Sequence, residues 1–318
     1  MVKKAGNMVR KTVVFMGTPA FGAAMLEQLL NEDCIRVTGV VSQPDRPVGR
    51  KQVMTPSAVK QLALQHDIPV FQPEKIRQDY QAVLAWRPDL IVTCAYGQIV
   101  PQEILDGPPL GCVNVHASLL PKLRGGAPIQ RAVMEGYEMT GVTIMEMAAG
   151  MDSGAIISQR RTAISQEDTY GTLHDKLIVT AAGLLHDTLP ALLEHSYTPI
   201  PQDPSQVTYG YNIKKEEEHL DLTLSYQAAY DHIRGLIPAP CSYIIAGGKK
   251  LKLCAVQKTG QTFAAANGTL VKAGRDLGLV MDGRILRITQ VQPEGKGVMP
   301  AAAFLNGAGR ALEGTTAR

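Results

Sequence analysis

Four short apolar runs rich in β-branched residues constrain the fold of this chain more than any other feature. They are Thr12 to Met16 (TVVFM), Ile35 to Val41 (IRVTGVV), Leu90 to Cys94 (LIVTC) and Cys112 to Val115 (CVNV). Runs this short, without a polar face, read as strands covered on both sides, the condition of parallel sheets. Helical patterns separate them. Pro19 opens one that continues to Leu30, Ser57 to His66 is another, and Pro128 suits the first turn of a helix through Arg131 and Met134. Strands alternating with helices predict an α/β fold with a doubly wound, mostly parallel, Rossmann-like sheet. Pro69 to Gln72 adds a short extended piece. Thr143 to Met147 and Ala155 to Arg161 are expected to pair as a hairpin. Thr169 to Glu194 is helical, with Leu173, Leu177, Leu184, Leu185 and Leu189 on one face.

The texture changes past Pro199, Pro201 and Pro204, which crowd a polar stretch expected to link two domains. Ser225 to Arg234 can form a helix. Short strand-like runs follow at Ser242 to Ala246, Leu251 to Val256, Thr269 to Lys272, Leu279 to Met281 and Ile285 to Val291, with Gly247-Gly248 as a hairpin signal. Met299 to Leu305 closes the series as a helix. Five short strands with glycine turns predict a small β-barrel, OB-like in type. The expected organisation is a disordered extension over 1–10, with Met8 an alternative start, a first domain over 11–194, a linker over 195–207 and a second domain over 208–318.

The 45% apolar and 19% charged residues are those of a soluble globular protein. No uninterrupted apolar run approaches the roughly 20 residues that span a bilayer. Lys3, Lys4, Arg10 and Lys11 precede VVFMGTPAFGAAML, but Gly17, Thr18 and Pro19 interrupt it, so strand-turn-helix explains it better than a signal peptide. Five cysteines without paired or metal-type spacing read as thiols of a reducing, cytoplasmic compartment. The net charge of +3 hides an asymmetry. From residue 208 onward, 14 Lys and Arg face 9 Asp and Glu, against 18 and 20 before it. A basic second half suits a polyanionic partner, although a merely solvated surface carries the same charge.

Asn114-Val115-His116 puts a carboxamide and an imidazole at the carboxyl end of a buried strand, where open α/β sheets hold their ligands. Alone, the pair reads equally as a satisfied core Asn and His. A second stretch, Gly150-Met151-Asp152-Ser153-Gly154, brings an acid on a glycine-flanked loop just after another strand. No serine or cysteine has the surroundings of an activated nucleophile, and Cys112 to His116 lacks the second pair of a metal site, so no metal is expected. Amide, imidazole and carboxylate together suit acyl transfer to an amine that is itself the nucleophile. Asn114 and protonated His116 would donate to the oxyanion, and Asp152 would hold the histidine and relay a proton. The turn after the first strand lacks the G-x-G-x-x-G of a nicotinamide enzyme and the lysine of a P-loop. SQPDRPVGRKQVMTPS, residues 42 to 57, is too long and charged for an ordinary connection. Its three prolines and Gly49 are expected to exclude regular structure, with Arg46, Arg50 and Lys51 projecting from it.

NVHASLLPKLRGGAPIQ, TGVTIMEMAAGMDSGAII, SQPDRPVGRK and CAYGQIVP resemble the methionyl-tRNA formyltransferase family. The likeness runs from Thr12 through Val207 and more loosely through TYGYNIKKEEEHLD and VQPEGKGVM. The resemblance implies a formyltransferase domain followed by a tRNA-binding domain, with 10-formyltetrahydrofolate as co-substrate and initiator Met-tRNA as partner. It places Asn114, His116 and Asp152 on the family's catalytic triad. Ser118, Leu119, Leu120 and Pro121, with Tyr96 and Gly97, fall on folate-contacting segments, and Arg46, Arg50 and Lys51 on a tRNA-contacting loop. No membrane and no obligate protein partner is implied.

The chain departs from the family in its second half. Ile237-Pro238-Ala239-Pro240 and Asp221-Leu222 stand where relatives often carry tryptophan, and Trp86 is the sole tryptophan. Gln52 beside Lys51 makes the basic loop lighter than in relatives with a further lysine. Rival readings are a formyltransferase acting on glycinamide ribonucleotide or an amino sugar, and a non-catalytic RNA-binding protein on an enzyme scaffold. The identity of the formyl acceptor separates them.

Overall fold

A computed structural model describes residues 10–49 and 51–318. By compactness the chain divides into two units. One holds the residues up to Gly126 with Thr140–Thr162 and Lys176–Tyr209; the other holds Ala127–Met139, Ala163–Asp175 and Gly210–Arg318.

The elements begin with β1 (Lys11–Gly17), α1 (Ala20–Leu30), β2 (Ile35–Val41), β3 (Arg46–Val48), β4 (Val53–Thr55), α2 (Ala58–Gln65) and β5 (Val70–Phe71). Then come α3 (Ile76–Asp79), α4 (Gln81–Leu84), β6 (Leu90–Cys94), α5 (Gln102–Asp106), β7 (Cys112–His116), α6 (Pro128–Met134), β8 (Met139–Glu146), β9 (Ile156–Ala163) and α7 (Tyr170–Glu194). Their seven-stranded sheet has the order β5-β2-β1-β6-β7-β8-β9. The first five strands run parallel, as expected of strands buried on both faces. β7 pairs antiparallel with β8, Asn114 opposite Met145 and His116 opposite Thr143. β8 and β9 are neighbours, as the hairpin expectation required. The chain leaves β1 for β2 on one side and returns to β6 on the other. That reversal opens a crevice at the carboxyl ends of β1, β6 and β7.

Val14, Met16, Val41, Ile91 and Cys112 form part of this sheet's core with Ile76, Val83 and Ile104. Ser57 caps α2 by accepting from the Lys60 amide. α7 is long and apolar enough to cross a membrane by length and composition alone. Its stripe of Leu173, Leu177, Leu184, Leu185, Leu189 and Leu192 is buried in protein instead. Hydroxyl pairs Thr162–Thr180 at 2.9 Å and Ser158–Thr188 at 2.8 Å tie it to β9.

The expectation that prolines keep residues 42–57 irregular is corrected: β3 and β4 pair as a short antiparallel hairpin, Arg46 opposite Thr55. Pro44 and Pro56 flank the pair. Pro47 lies within a strand whose only partner among the described residues is β4, so its missing N–H can face away from the ladder. Gly49 and Gln52 supply the left-handed conformations of the turn.

The second unit continues with α8 (Tyr226–Gly235), β10 (Ser242–Ala246), β11 (Lys249–Thr262), β12 (Leu270–Ala273), β13 (Asp276–Met281), β14 (Arg284–Pro293), β15 (Met299–Pro300) and α9 (Ala301–Leu305). Its sheet is antiparallel, in the order β10-β11-β14-β13-β12, with β15 on β14. The core comprises Leu251, Leu253, Leu277, Leu279, Leu286, Ile288 and Val291 beneath Ala229, Tyr230 and Ile233 of α8.

A small OB-like barrel was expected; the sheet does not close into one, since β10 and β12 are the two ends of the ladder. The last residues lie along both ends instead. Arg318 exchanges two backbone hydrogen bonds with Ile245 of β10, at 2.7 and 2.9 Å. Leu270 of β12 donates to Thr315 and accepts from Gly314, both at 2.8 Å. A sheet that can satisfy its edge groups on an irregular segment need not curl far enough for its own strands to meet.

Candidate active site

Asn114 and His116 stand two residues apart on β7 and so face the same side of the sheet. Thr93 is the register partner of Asn114 on β6, and its hydroxyl donates to Asn114 Oδ1 at 2.8 Å. That bond fixes the carboxamide and leaves both Nδ2 hydrogens as donors. His116 is buried, and its Nε2 lies 3.1 Å from the Leu123 carbonyl. A carbonyl only accepts, so the Nε2 hydrogen is committed there, and Nδ1 is the ring atom able to exchange a proton. Nδ1 lies 3.7 Å from Asp152 Oδ2, within charge-pairing reach but beyond a hydrogen bond.

Asp152 is held from several sides. Its Oδ2 accepts from the Gly125 amide at 2.8 Å. Gln202 Nε2 donates to the Asp152 and Gly154 carbonyls, both at 2.8 Å, while Gln202 Oε1 accepts from Arg124 Nε and Nη2. Asp152 itself adopts a left-handed φ of +47°. Gly154 permits the loop's close return, since a Cβ there would sit 1.7 Å from the Glu146 carbonyl oxygen. The 200–209 stretch, in and beyond the expected linker, therefore lies along the site: Thr208 Oγ1 accepts from the Leu123 amide, and Ile200 bridges Ile156.

The segment after β7 is internally satisfied. Ser118 Oγ donates to the Lys122 carbonyl at 2.6 Å, and Thr143 Oγ1 donates to the Ser118 carbonyl while accepting from the Leu120 amide. Gln159 Nε2 donates to the Leu120 carbonyl. Ser118 and Leu120 are buried, whereas Leu119 and Pro121 are partly exposed. What this segment offers a ligand is apolar surface rather than a free hydroxyl.

Tyr96 and Gly97 follow β6. The Tyr96 carbonyl accepts from Thr18 Oγ1 at 2.9 Å and from Gln43 Nε2 at 3.2 Å, holding the loop beside the ends of β1 and β2. Gly97 takes φ +93°, where a side chain would be strained. The Tyr96 hydroxyl is buried without a hydrogen-bond partner among the described residues, and burial pushes its pKa up.

Arg46 and Lys51 are exposed on the β3–β4 hairpin, while Arg50 lies outside the described residues. Asp45 anchors the hairpin's base by accepting from Gln72 at 2.8 Å and from Lys60 at 2.8 and 3.0 Å. The Gln72 hydrogen bond, then Lys60, holds its carboxyl below the usual range. Val48, Val53 and Met54 leave more than half their surface in solvent, so the hairpin presents apolar as well as cationic surface.

Thr93, Gly125, Thr143, Gln159 and Gln202 escaped sequence reasoning. Thr93 is a polar interruption of an apolar strand, and it gains meaning only once β6 is known to lie beside β7. Gln202 sits in a proline-rich stretch and gives no local signal.

A doubly wound sheet thus carries an amide and an imidazole on β7, with a carboxylate 3.7 Å from the imidazole, groups of the kind acyl transfer uses. Family comparison gives the class: residues 10–189 match the formyl transferase family and residues 212–309 the formyl transferase C-terminal domain. The chain is thus a formyl-transferring enzyme. It is 50% identical over 299 residues to the methionyl-tRNA formyltransferase of Bacillus thuringiensis subsp. konkukian (strain 97-27), covering 93% of this chain and 95% of that one. It is 49% identical over 304 residues to that of Geobacillus sp. (strain WCH70), covering 94% and 95%. The chain belongs to the methionyl-tRNA formyltransferase family. The fold also recurs in HypX from Aquifex aeolicus in complex with tetrahydrofolic acid, with TM-score 0.65 and 13% identity over 95% of this chain and 48% of that one. An N-formyltransferase from Helicobacter canadensis has the same TM-score at 18% identity, over 89% of this chain and 99% of that one.

Proposed function

We propose that this protein transfers the formyl group of 10-formyltetrahydrofolate to the α-amino group of methionine on initiator Met-tRNA, giving N-formylmethionyl-tRNA. The observation that carries the reading is half-identity, over nearly the whole length of both chains, with relatives named for that reaction. The residues present suit a folate. Tyr96 brings an orphaned buried hydroxyl, Gly97 a side-chain-free approach, and Leu119 and Pro121 apolar contact for a flat ring.

In this reading the amine of methionine attacks the formyl carbon, and Asn114 Nδ2 donates to the oxyanion that develops there. His116 Nδ1–H is the second donor, and the Asp152 carboxylate beside it balances the imidazolium charge. The attacking amine loses a proton and the departing N10 of tetrahydrofolate gains one. Asp152 relays it, because its carboxylate lies near His116 Nδ1 and its side chain is partly open to solvent. Arg46, Arg50 and Lys51 would hold the acceptor end through phosphate contacts and base stacking, and the basic second unit would bind phosphates.

Mixing formyl-labelled 10-formyltetrahydrofolate with the enzyme and Met-tRNA, glycinamide ribonucleotide or a nucleotide amino sugar tests the reading. Label is expected on Met-tRNA. Label on either of the others, with none on Met-tRNA, would overturn it.

A further inference from the structure

Two adjoining recesses on the first unit share Arg77 and Ile99. The inner one, of about 410 Å³, reaches from Ala149, just before the Gly150–Gly154 loop, past Val100 to Arg77. The outer one, of about 380 Å³, continues to Lys75, Gln78 and Gln98. Together they make a track that runs from Ala149, beside the loop of Asp152, along Ile99 and Arg77 to Lys75. Glu103 lines the inner recess, whereas the outer one has Lys75 and Arg77 and no acid.

The placement is built, not incidental. Gln98 Oε1 accepts from the Ile76 amide at 2.9 Å, and Gln98 Nε2 donates to the Pro73 carbonyl at 3.2 Å. These bonds fasten the start of α3 to the loop that carries Tyr96 and Gly97. Ile76 is buried, so Lys75 and Arg77 on either side of it are both exposed. Neither is ion-paired among the described residues. Between them and the site, Ile99 leaves 65% of its surface in solvent. A ligand matching the track has methylene groups to lie on Ile99 and repeated carboxylates to meet the cations.

We infer that the Lys75–Arg77 track binds a γ-linked polyglutamyl tail on the folate co-substrate. This rests on the folate reading above and adds which form of the folate the enzyme prefers. Each γ-glutamyl unit contributes two methylenes and one further carboxylate, which suit an exposed isoleucine followed by two cations.

Calorimetric titration of the whole enzyme with 5-formyltetrahydrofolate monoglutamate and pentaglutamate tests it. The pentaglutamate is expected to bind roughly tenfold tighter at low salt, each exposed ion pair contributing a few-fold, with the advantage shrinking as salt rises. The Lys75→Ala/Arg77→Ala variant should lose that advantage, keep its affinity for the monoglutamate and keep its KM for Met-tRNA. Equal affinities in the wild type, or a preference that survives in the variant, would overturn the inference. A raised KM for Met-tRNA in the variant would overturn it too, by assigning the track to nucleic acid. Formyl transfer from the monoglutamyl donor that gains nothing from added glutamates removes the track alone. No monoglutamate binding and no formyl transfer removes the folate reading together with it.

Discussion

Asp152→Asn isolates charge from geometry at the candidate site. The backbone at Asp152 is left-handed, and asparagine tolerates that conformation better than other residues with a Cβ, so the loop should keep its shape. The amide oxygen can still accept from the Gly125 N–H. What disappears is a negative charge 3.7 Å from His116 Nδ1. At that separation, with an effective dielectric constant of about 20, a full charge pair is worth about 4.5 kcal/mol. Asp152 retains 17% side-chain exposure and His116 7%. Screening and the remaining amide dipole reduce this to about 3 kcal/mol, or roughly a hundredfold in rate. Steady-state formylation with both substrates saturating should show kcat lowered about a hundredfold. KM for Met-tRNA should stay within about twofold, because the lost interaction belongs to the transition state. Asp152→Ala should add strain of about 1 kcal/mol at the positive φ, visible as a lower melting temperature. A kcat for Asp152→Asn within about fivefold of wild type would refute the charge argument.

Three further outcomes are expected. Asp45→Ala removes the acceptor of Lys60 and Gln72 at the hairpin base and should raise KM for Met-tRNA, with folate affinity unchanged in parallel titrations. Arg234→Met should cost about 3–5 kcal/mol in chemical denaturation: it strips the partner of buried Asp231, and adding Asp231→Leu should recover much of the loss. His232 makes stability depend on pH. Burial lowers its pKa, and its Nε2–H donates to the Glu217 carbonyl while Nδ1 accepts from Ser242, so the folded state holds it neutral. A depressed folded pKa gives stability that is full above the unfolded value of about 6.5 and is lost as pH falls through the folded value. Melting temperature should therefore fall as pH drops below about 6.5, with a shallower fall in His232→Gln.

The parallel half of the fold was legible because its longer strands are short, largely apolar runs rich in β-branched residues, a pattern that few other environments tolerate. Asn114, His116 and Asp152 stood out in the sequence for the opposite reason, as polar residues on or just beyond apolar strands. Their supports were hidden. Thr93, Thr143 and Gln202 act through register and chain crossings, which leave no trace in local composition. The hairpin at 46–55 was not legible because proline count alone does not show which edge of a strand each proline faces. Nor does any linear pattern reveal that 127–139 and 163–175 belong with the later residues, where Arg131 forks onto Glu217 at 2.6 and 3.0 Å and Arg234 donates to the carbonyls of Ser165 and Asp168. Cutting the chain at 208 would orphan those segments, so point substitutions test the second unit more cleanly than truncation.

Residues 314–318 have a consequence for handling the protein. They hold two otherwise open strands, β10 at Ile245 and β12 at Leu270, through backbone hydrogen bonds, with Ala317 buried in the unit's core. Another chain's strand could do so as well. If proteolysis trims these few residues, the fold loses Ala317 from its core and gains two templates for intermolecular strand pairing, each beside buried apolar residues such as Ile244 and Leu270. Loss of these five residues would then appear first as concentration-dependent self-association, before any change in the chemistry.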